Sequence, residues 1–299
     1  MPPRPRPPRR TPRSVVWRRR LVALGLLVAG FVAAFFAVSS IGGNDKAKEP
    51  ATTAVVAPPK PFRIVFPEGF TRRQMGARVT AVAQIAKRER GKRVRLTQRA
   101  YLAATARPRR QPGFGPKAYP LEGFLFPATY DFTARETSPQ LVAAQLKAFR
   151  ANWAKLNLAY ARSKNLTPYD VLIIASLIEK ETPAPEERQL VSAVIYNRLH
   201  ARMNLGIDAT TRYGLHVPPT ESLTQSELES DNPYNTRNPA ITGLTPTPIS
   251  NPGLASMKAA AHPAKVDYLY FVRKPDHVHH FFTASAAEFE AYANAHGFG

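Results

Sequence analysis

Apolar positions along this chain change period several times, and each change marks a boundary. Residues 21–41 run for 21 positions without a charge, a length that as a helix matches the roughly 30 Å hydrocarbon core of a bilayer. A single N-terminal transmembrane helix is the expectation there. Residues 42–61 carry no periodicity and are rich in Gly, Pro, Ala and Thr, so they read as a flexible spacer. Folding resumes at Phe62. The run from Phe62 to Phe66 reads as a strand closed by Pro67, Glu68 and Gly69, with Thr71 placed to cap a helix from Arg72. Met75, Val79, Val82 and Ile85 recur at spacings of three and four and predict one buried stripe on that helix. A second short helix is predicted over residues 97–106. Residues 107–120 form a Pro, Gly and Arg-rich loop, read as the border of a second domain. Beyond it an amphipathic helix over residues 139–157 rests on Leu141, Leu146, Phe149 and Trp153. The next helix opens on Thr167, Pro168 and Asp170 and is apolar nearly all round from Val171 to Ile178, the pattern of a buried helix. The class is α+β: a small α/β module over residues 62–117 and a larger α+β domain over residues 118–299.

Charge changes the picture at the N-terminus. Residues 1–20 hold eight arginines, no acid and many prolines, which describes a disordered basic tail. Arginines on one side of residues 21–41 and mixed charges on the other orient the N-terminus inward. Everything from about residue 42 is then expected on the outer face of a cytoplasmic membrane. A cleaved signal peptide is the competing reading, and Ala37, Val38 and Ser39 imitate a cleavage site. The net charge of +21 calls for an anionic partner; anionic lipid at the juxtamembrane tail accounts for the eight tail arginines, which weakens the case for nucleic acid. Subtracting those eight from +21 leaves +13, which suits residence near anionic lipid or an anionic wall polymer. With no cysteine the chain has no disulfide framework, thiol nucleophile or thiolate metal site.

Chemistry concentrates after the apolar helix, where Glu179, Lys180, Glu181 and Thr182 follow in succession. Glu179 falls on the face of Ala175 and Leu172, so its carboxyl is expected at the end of a buried surface, where desolvation favours the protonated form that a general acid needs. Glu181 lies about 200° further round and is expected to meet solvent or orient a neighbour. The plainer alternative for Glu179 is a helix-end carboxylate paired with a basic side chain. His277, His279 and His280 lack the partners and spacing of a metal site, so no metal is expected, and nothing calls for a cofactor.

Across residues 121–283 the segments LEGFLFPATYDF, ASLIEKET, VSAVIYNRL, DATTRYGL, PYNT, GLTPTPISNPG, MKAAAHPA, YLYFV and HHFF follow one another. In that order and spacing they resemble the YceG-like family of endolytic murein transglycosylases. The resemblance implies a LysM-like module over residues 62–117 and a catalytic domain over residues 118–299, with Glu179 as the catalytic acid/base. It implies a lytic reaction on peptidoglycan glycan strands, in which the muramoyl 6-hydroxyl closes on C1 to give 1,6-anhydro ends, and peptidoglycan synthases as expected partners. Glu122, Glu181, Asn197, Asp208, Thr210, Tyr234 and Asn235 become candidate substrate contacts, and Glu181, Asp208 and Glu122 are the candidates for a second carboxylate if the reaction is hydrolytic. The chain departs from the pattern at Gly206, Ile207, Ala209 and Thr211, at Arg237 and at Thr245, which bears on individual contacts more than on activity. A non-catalytic peptidoglycan-binding scaffold of the wall-synthesis machinery is the rival reading.

Overall fold

The computed structural model describes residues 61–297, so the expected basic tail, transmembrane helix and nearly all of the spacer lie outside the described residues. Among those described, no helix is long and apolar enough to cross a membrane.

Strand β1 (Phe62–Val65) leads into helix α1 (Arg72–Arg90). Thr71 accepts from the Gln74 N–H while the Gln74 side chain accepts from the Thr71 N–H, a reciprocal cap that contributes about 1 kcal/mol. Met75 and Val79 are fully buried, but Val82 is only partly covered and Ile85 is 42% exposed. The predicted stripe therefore holds for the first half of α1 and fades where the helix runs out past the core. Helix α2 (Gln98–Ala106) starts at its Thr97 cap and buries Tyr101, whose hydroxyl donates to Gln145 Oε1 at 2.8 Å.

The loop expected at residues 107–120 is a small hairpin, β2 (Arg109–Arg110) with β3 (Ala118–Tyr119). Its tip carries Phe114 into the core, where the ring lies 4.9 Å from Phe124 and 4.8 Å from Trp153 between centroids. Strand β4 (Thr129–Phe132) then pairs antiparallel with β1, in the register Phe62 to Phe132 and Val65 to Thr129. A border near residue 117 thus runs through a continuous core and between the two strands of one ribbon, because β1 finds its only described backbone partner on the far side of it.

Helix α3 (Ser138–Trp153) stops earlier than the apolar pattern suggests, since the Asn157 side chain accepts from the Ala159 N–H and starts the short helix α4 (Ala159–Ser163). Helix α5 (Pro168–Glu181) is the central element. Thr167 and Asp170 make its capping box, and every residue from Val171 to Ile178 is buried, at roughly 1.5 to 3 kcal/mol for each large aliphatic side chain. A short 3-10 turn at Pro185–Glu187 precedes α6 (Arg188–His200). After α7 (Asp208–Leu215) and α8 (Gln225–Leu228) comes α9 (Leu254–Ala261), which packs on α5 and α6. The antiparallel pair β5 (Tyr270–Arg273) and β6 (His280–Thr283) and helix α10 (Ala286–Ala295) close the described chain. Ser176, in mid-α5, accepts from the Ile249 N–H at 3.0 Å, and Ser250 donates to the Ser176 carbonyl at 3.1 Å. Those two bonds fasten the loop before α9 to the central helix.

Candidate active site

Both glutamates at the end of α5 remain helical, so the angular separation of about 200° read from the sequence stands. Each face meets different neighbours. Glu179 Oε2 accepts from the Gly253 N–H at 2.9 Å, at the N-cap of α9, where a carboxylate complements the helix dipole. The carboxyl of Glu68 lies against the same glycine, so close that a Cβ on Gly253 would overlap it. Burial, then the charge of Glu179, raise the Glu68 pKa, opposed by Arg188. Glu179 is therefore held between two segments, with a backbone amide rather than a lysine or arginine as its hydrogen-bond partner.

Glu181 points into a cleft of about 1260 Å³, bounded by the first turn of α1, by α7, by Arg237 and by β5. Glu179 is not among the residues lining it. Glu181 is partly exposed there, beside residues of α7 and β5 that line the same cleft. Burial, followed by the charge of Asp208, pushes the Glu181 carboxyl up to about 7, against the opposing pull of Arg273, Arg237 and the Ala209 N–H. Asp208 also lines the cleft and is paired with Arg237.

Glu122 reaches the same cleft but its carboxylate is fully engaged. It accepts from the Arg72 N–H at 2.9 Å, from Asn251 Nδ2 at 2.7 Å and from the Tyr213 hydroxyl at 3.2 Å. Burial still raises it to about 7, those donors opposing. Three of the other expected substrate contacts are braces. Thr210 is fully buried, donates to the Ile207 carbonyl at 2.6 Å and meets Thr236. Asn235, also fully buried, donates to the Leu228 and Ser230 carbonyls and accepts from Thr211. Asn197 donates to the Val266 and Tyr268 carbonyls, tying α6 to the segment before β5. The Thr210 and Asn235 side chains are fully buried and engaged within the fold, while Asn197, partly exposed, is held through its Nδ2 alone. Tyr234 is intermediate: its hydroxyl meets Thr247 at 2.8 Å and its ring leans on Tyr213.

His280 Nδ1 lies 2.7 Å from Glu187, and His279 bridges Asp276 and Glu186, so these histidines fasten the β5–β6 turn to the chain after α5. Among the described residues no group of three or more His, Cys, Asp or Glu could hold a metal ion. Sequence reasoning passed over Glu68, Tyr213 and Arg273. Glu68 sits in a Pro-Glu-Gly turn that reads as punctuation, and Arg273 ends an apolar strand; only the crossing of distant segments reveals either.

Two carboxyls at the end of a buried helix, one of them lining a polar cleft, are groups that acid–base chemistry could use. A single group titrating near neutrality can both give and take a proton there. The family model described as the YceG-like family matches residues 44–295, and the chain belongs to that family. The endolytic murein transglycosylase of Bacillus subtilis is 40% identical over 159 residues, covering 52% of this chain and 42% of that protein. That of Streptococcus pneumoniae R6 is 37% identical over 161 residues, covering 52% and 28%. The matched stretch thus spans less than half the length of these relatives. A yceG-like protein of Listeria monocytogenes, solved by crystallography at 2.6 Å, superposes with a TM-score of 0.61 at 30% identity, covering 78% of this chain and 76% of that one.

Proposed function

We propose that this protein is an endolytic peptidoglycan lytic transglycosylase with Glu179 as its acid/base, and with Glu181 as the second reading. Support for Glu179 comes from its place in the Glu-Lys-Glu-Thr segment that resembles the family's catalytic motif and from its carboxyl at the end of the buried helix α5, beside that of Glu68. The observation favouring Glu181 is its carboxyl lining the large cleft with its proton affinity raised to about 7. The protonated acid donates to the glycosidic oxygen between N-acetylmuramic acid and N-acetylglucosamine as the C1–O bond breaks, leaving an oxocarbenium-like centre. The resulting carboxylate takes the proton of the muramoyl 6-hydroxyl as that oxygen closes on C1. No water is consumed, and one carboxyl serves both steps. Asp208 is the carboxylate beside Glu181 that a hydrolytic course on the second reading would use, but its pairing with Arg237 favours a structural and electrostatic part.

The membrane setting belongs to the same proposal: residues 21–41 span the cytoplasmic membrane with the N-terminus inside, and the cleft works on nascent strands outside, beside peptidoglycan synthases. Support for a LysM-like unit comes from β1, α1 and α2 in succession, with β4, which follows the β2–β3 hairpin and lies past residue 117, pairing antiparallel with β1. A C-terminal reporter active only in the cytoplasm would overturn the topology. The activity is tested by mass analysis of peptidoglycan digests. Glu179→Gln should lower turnover by about 10² to 10⁴, Glu181→Gln should retain most of it, and the products should lack one water relative to hydrolytic ends. Loss confined to Glu181→Gln would give the role to that residue instead. Reducing muramoyl ends would keep the cleavage and refute the lytic course, and no cleavage by wild type would favour the scaffold.

A further inference from the structure

A strand of N-acetylated amino sugars is uncharged, so a cleft that holds only its backbone needs hydrogen-bond donors, acceptors and apolar faces. This cleft is instead lined by seven lysines and arginines. Four of them are occupied by the fold. Arg72 donates to the Leu102 carbonyl and Thr105, Arg198 to the Leu269 and Leu205 carbonyls, Arg212 to the Pro218 and Glu221 carbonyls, and Arg237 pairs with Asp208. The other three, Arg73, Lys180 and Arg273, come from α1, α5 and β5 and are exposed at the cleft. Their side chains have no hydrogen bond or ion pair among the described residues.

We infer that Arg73, Lys180 and Arg273 form an anion subsite for carboxylates carried on the muramic acid units of the strand, an inference that rests on the glycan-cleaving reading and deepens it. Two sources share that chemistry: the carboxylates of peptide side branches, and the lactyl carboxylate of a muramic acid from which the peptide has been removed. The cations are spaced over three elements, which suits groups projecting from successive sugars better than one compact anion. Of the acids lining the cleft, Asp208 is paired, Glu122 is closed off by its own donors, and Glu181, on which Arg273 acts, is a single carboxyl facing three cations.

On the reading with Glu181 as the acid, the subsite also bears on the chemistry. Arg273 is among the charges that oppose proton retention by Glu181. A substrate carboxylate seated against Arg273 offsets that pull and favours the protonated acid when the correct strand is bound. Substrate charge is then part of what readies the site, and an uncharged strand meets a less protonated Glu181.

The test compares three strand preparations for binding to the full-length Glu179→Gln protein: untreated strands, strands whose carboxyls are amidated and amines acetylated, and strands freed of peptide by an amidase. Exposed charge pairs contribute roughly a 1.4- to 5-fold factor each, so untreated strands should bind about tenfold more tightly than neutral ones, and added salt should erase the difference. In Arg73→Ala/Lys180→Ala/Arg273→Ala the ratio should fall to near one, and Arg273→Lys should restore part of it. Amidase-treated strands that bind like untreated ones assign the lactyl carboxylate, and ones that bind like neutral strands assign the peptide. Equal binding of charged and neutral strands by the unsubstituted cleft, a ratio that survives the triple substitution, or stronger binding of a phosphate-rich wall polymer than of any strand overturns the subsite. If the ratio is found but wild type cleaves nothing, the subsite stands and the catalytic reading falls.

Discussion

Two glycines with nearly the same backbone separate conformational strain from packing strain. Gly123 has φ +87° and Gly113 φ +85°, a region that costs an L-residue roughly 1 to 2 kcal/mol. A Cβ on Gly113 meets nothing within 4 Å, whereas one on Gly123 would lie 2.7 Å from the Pro248 ring and 3.2 Å from Leu172 Cδ2. Neither neighbour gives way easily: Pro248 is a rigid ring beside the stretch stitched to Ser176, and Leu172 is fully buried in α5. Gly113→Ala should cost about 1 kcal/mol, since the reduced entropy of the unfolded chain returns about 0.4 to 1 kcal/mol. Gly123→Ala adds an overpacking cost of about 1 to 3 kcal/mol, for a total of about 2 to 4 kcal/mol. Urea unfolding followed by Trp153 fluorescence measures both, and an unchanged m-value would confine the effect to stability. Equal losses for the two variants would refute the packing argument, and a neutral Gly123→Ala would refute both parts.

Stability should fall as pH rises from about 4.5 to about 7, because Glu122 and Glu181 both hold their protons more tightly folded than unfolded; the Glu122 share of the loss is of order 3 kcal/mol. Glu122→Gln should reduce that slope by its share, and an unchanged slope in urea titrations at pH 4.5 and 8 would assign it elsewhere. Arg237→Met removes a charge that opposes proton retention by Glu181 and releases Asp208, which favours it. On the Glu181 reading the basic limb of kcat/KM should therefore move to higher pH, and a shift to lower pH contradicts that reading. Asn235→Ala leaves the Leu228 and Ser230 carbonyls and Thr211 without their partner and should cost about 2 to 4 kcal/mol in thermal unfolding. A large KM change in a variant of normal stability would restore the idea of substrate contact.

The helices were readable in the sequence wherever a cap preceded an apolar repeat. Thr71, Thr97 and Thr167 each mark the start that the structure has, because capping depends on residues three or four apart. The pair of glutamates ending α5 was readable as a locus, and its angular geometry was right. Which glutamate faces the cleft was not, since that depends on α7 and β5 lying on one side of the helix and Gly253 on the other. The burial of Phe114 was not readable for a related reason: Pro and Gly around it predict a turn correctly, but a turn can carry a side chain inward when Phe124 and the α3 rings of Phe149 and Trp153 wait for it. Thr210, Asn235 and Asn197 look in sequence like groups that greet sugar hydroxyls. Long-range carbonyl partners hold them instead.

The same long-range bonds decide what residues 62–106 are for. A separate bead on a flexible tether could be removed with little harm to the domain that follows, and the length and composition of the segment suit such a bead. In the fold, however, it supplies β1 to pair with β4, and its Ile64, Phe66, Met75, Val79 and Tyr101 are at most 2% exposed in the common core. At roughly 1.5 to 3 kcal/mol for each large side chain, their loss amounts to about 7 to 15 kcal/mol, the whole stability of a typical domain. Deletion also strips Glu122 of the Arg72 N–H, leaving a buried carboxyl short of a donor, and takes away the wall of the cleft formed by residues 71–74. Removing residues 62–106 should therefore abolish cooperative unfolding as well as activity, giving a remainder that proteases digest quickly. A remnant that still melts in one sharp transition and retains protection around α5 would mean that the segment is a detachable module after all, and that the cleft is completed without it.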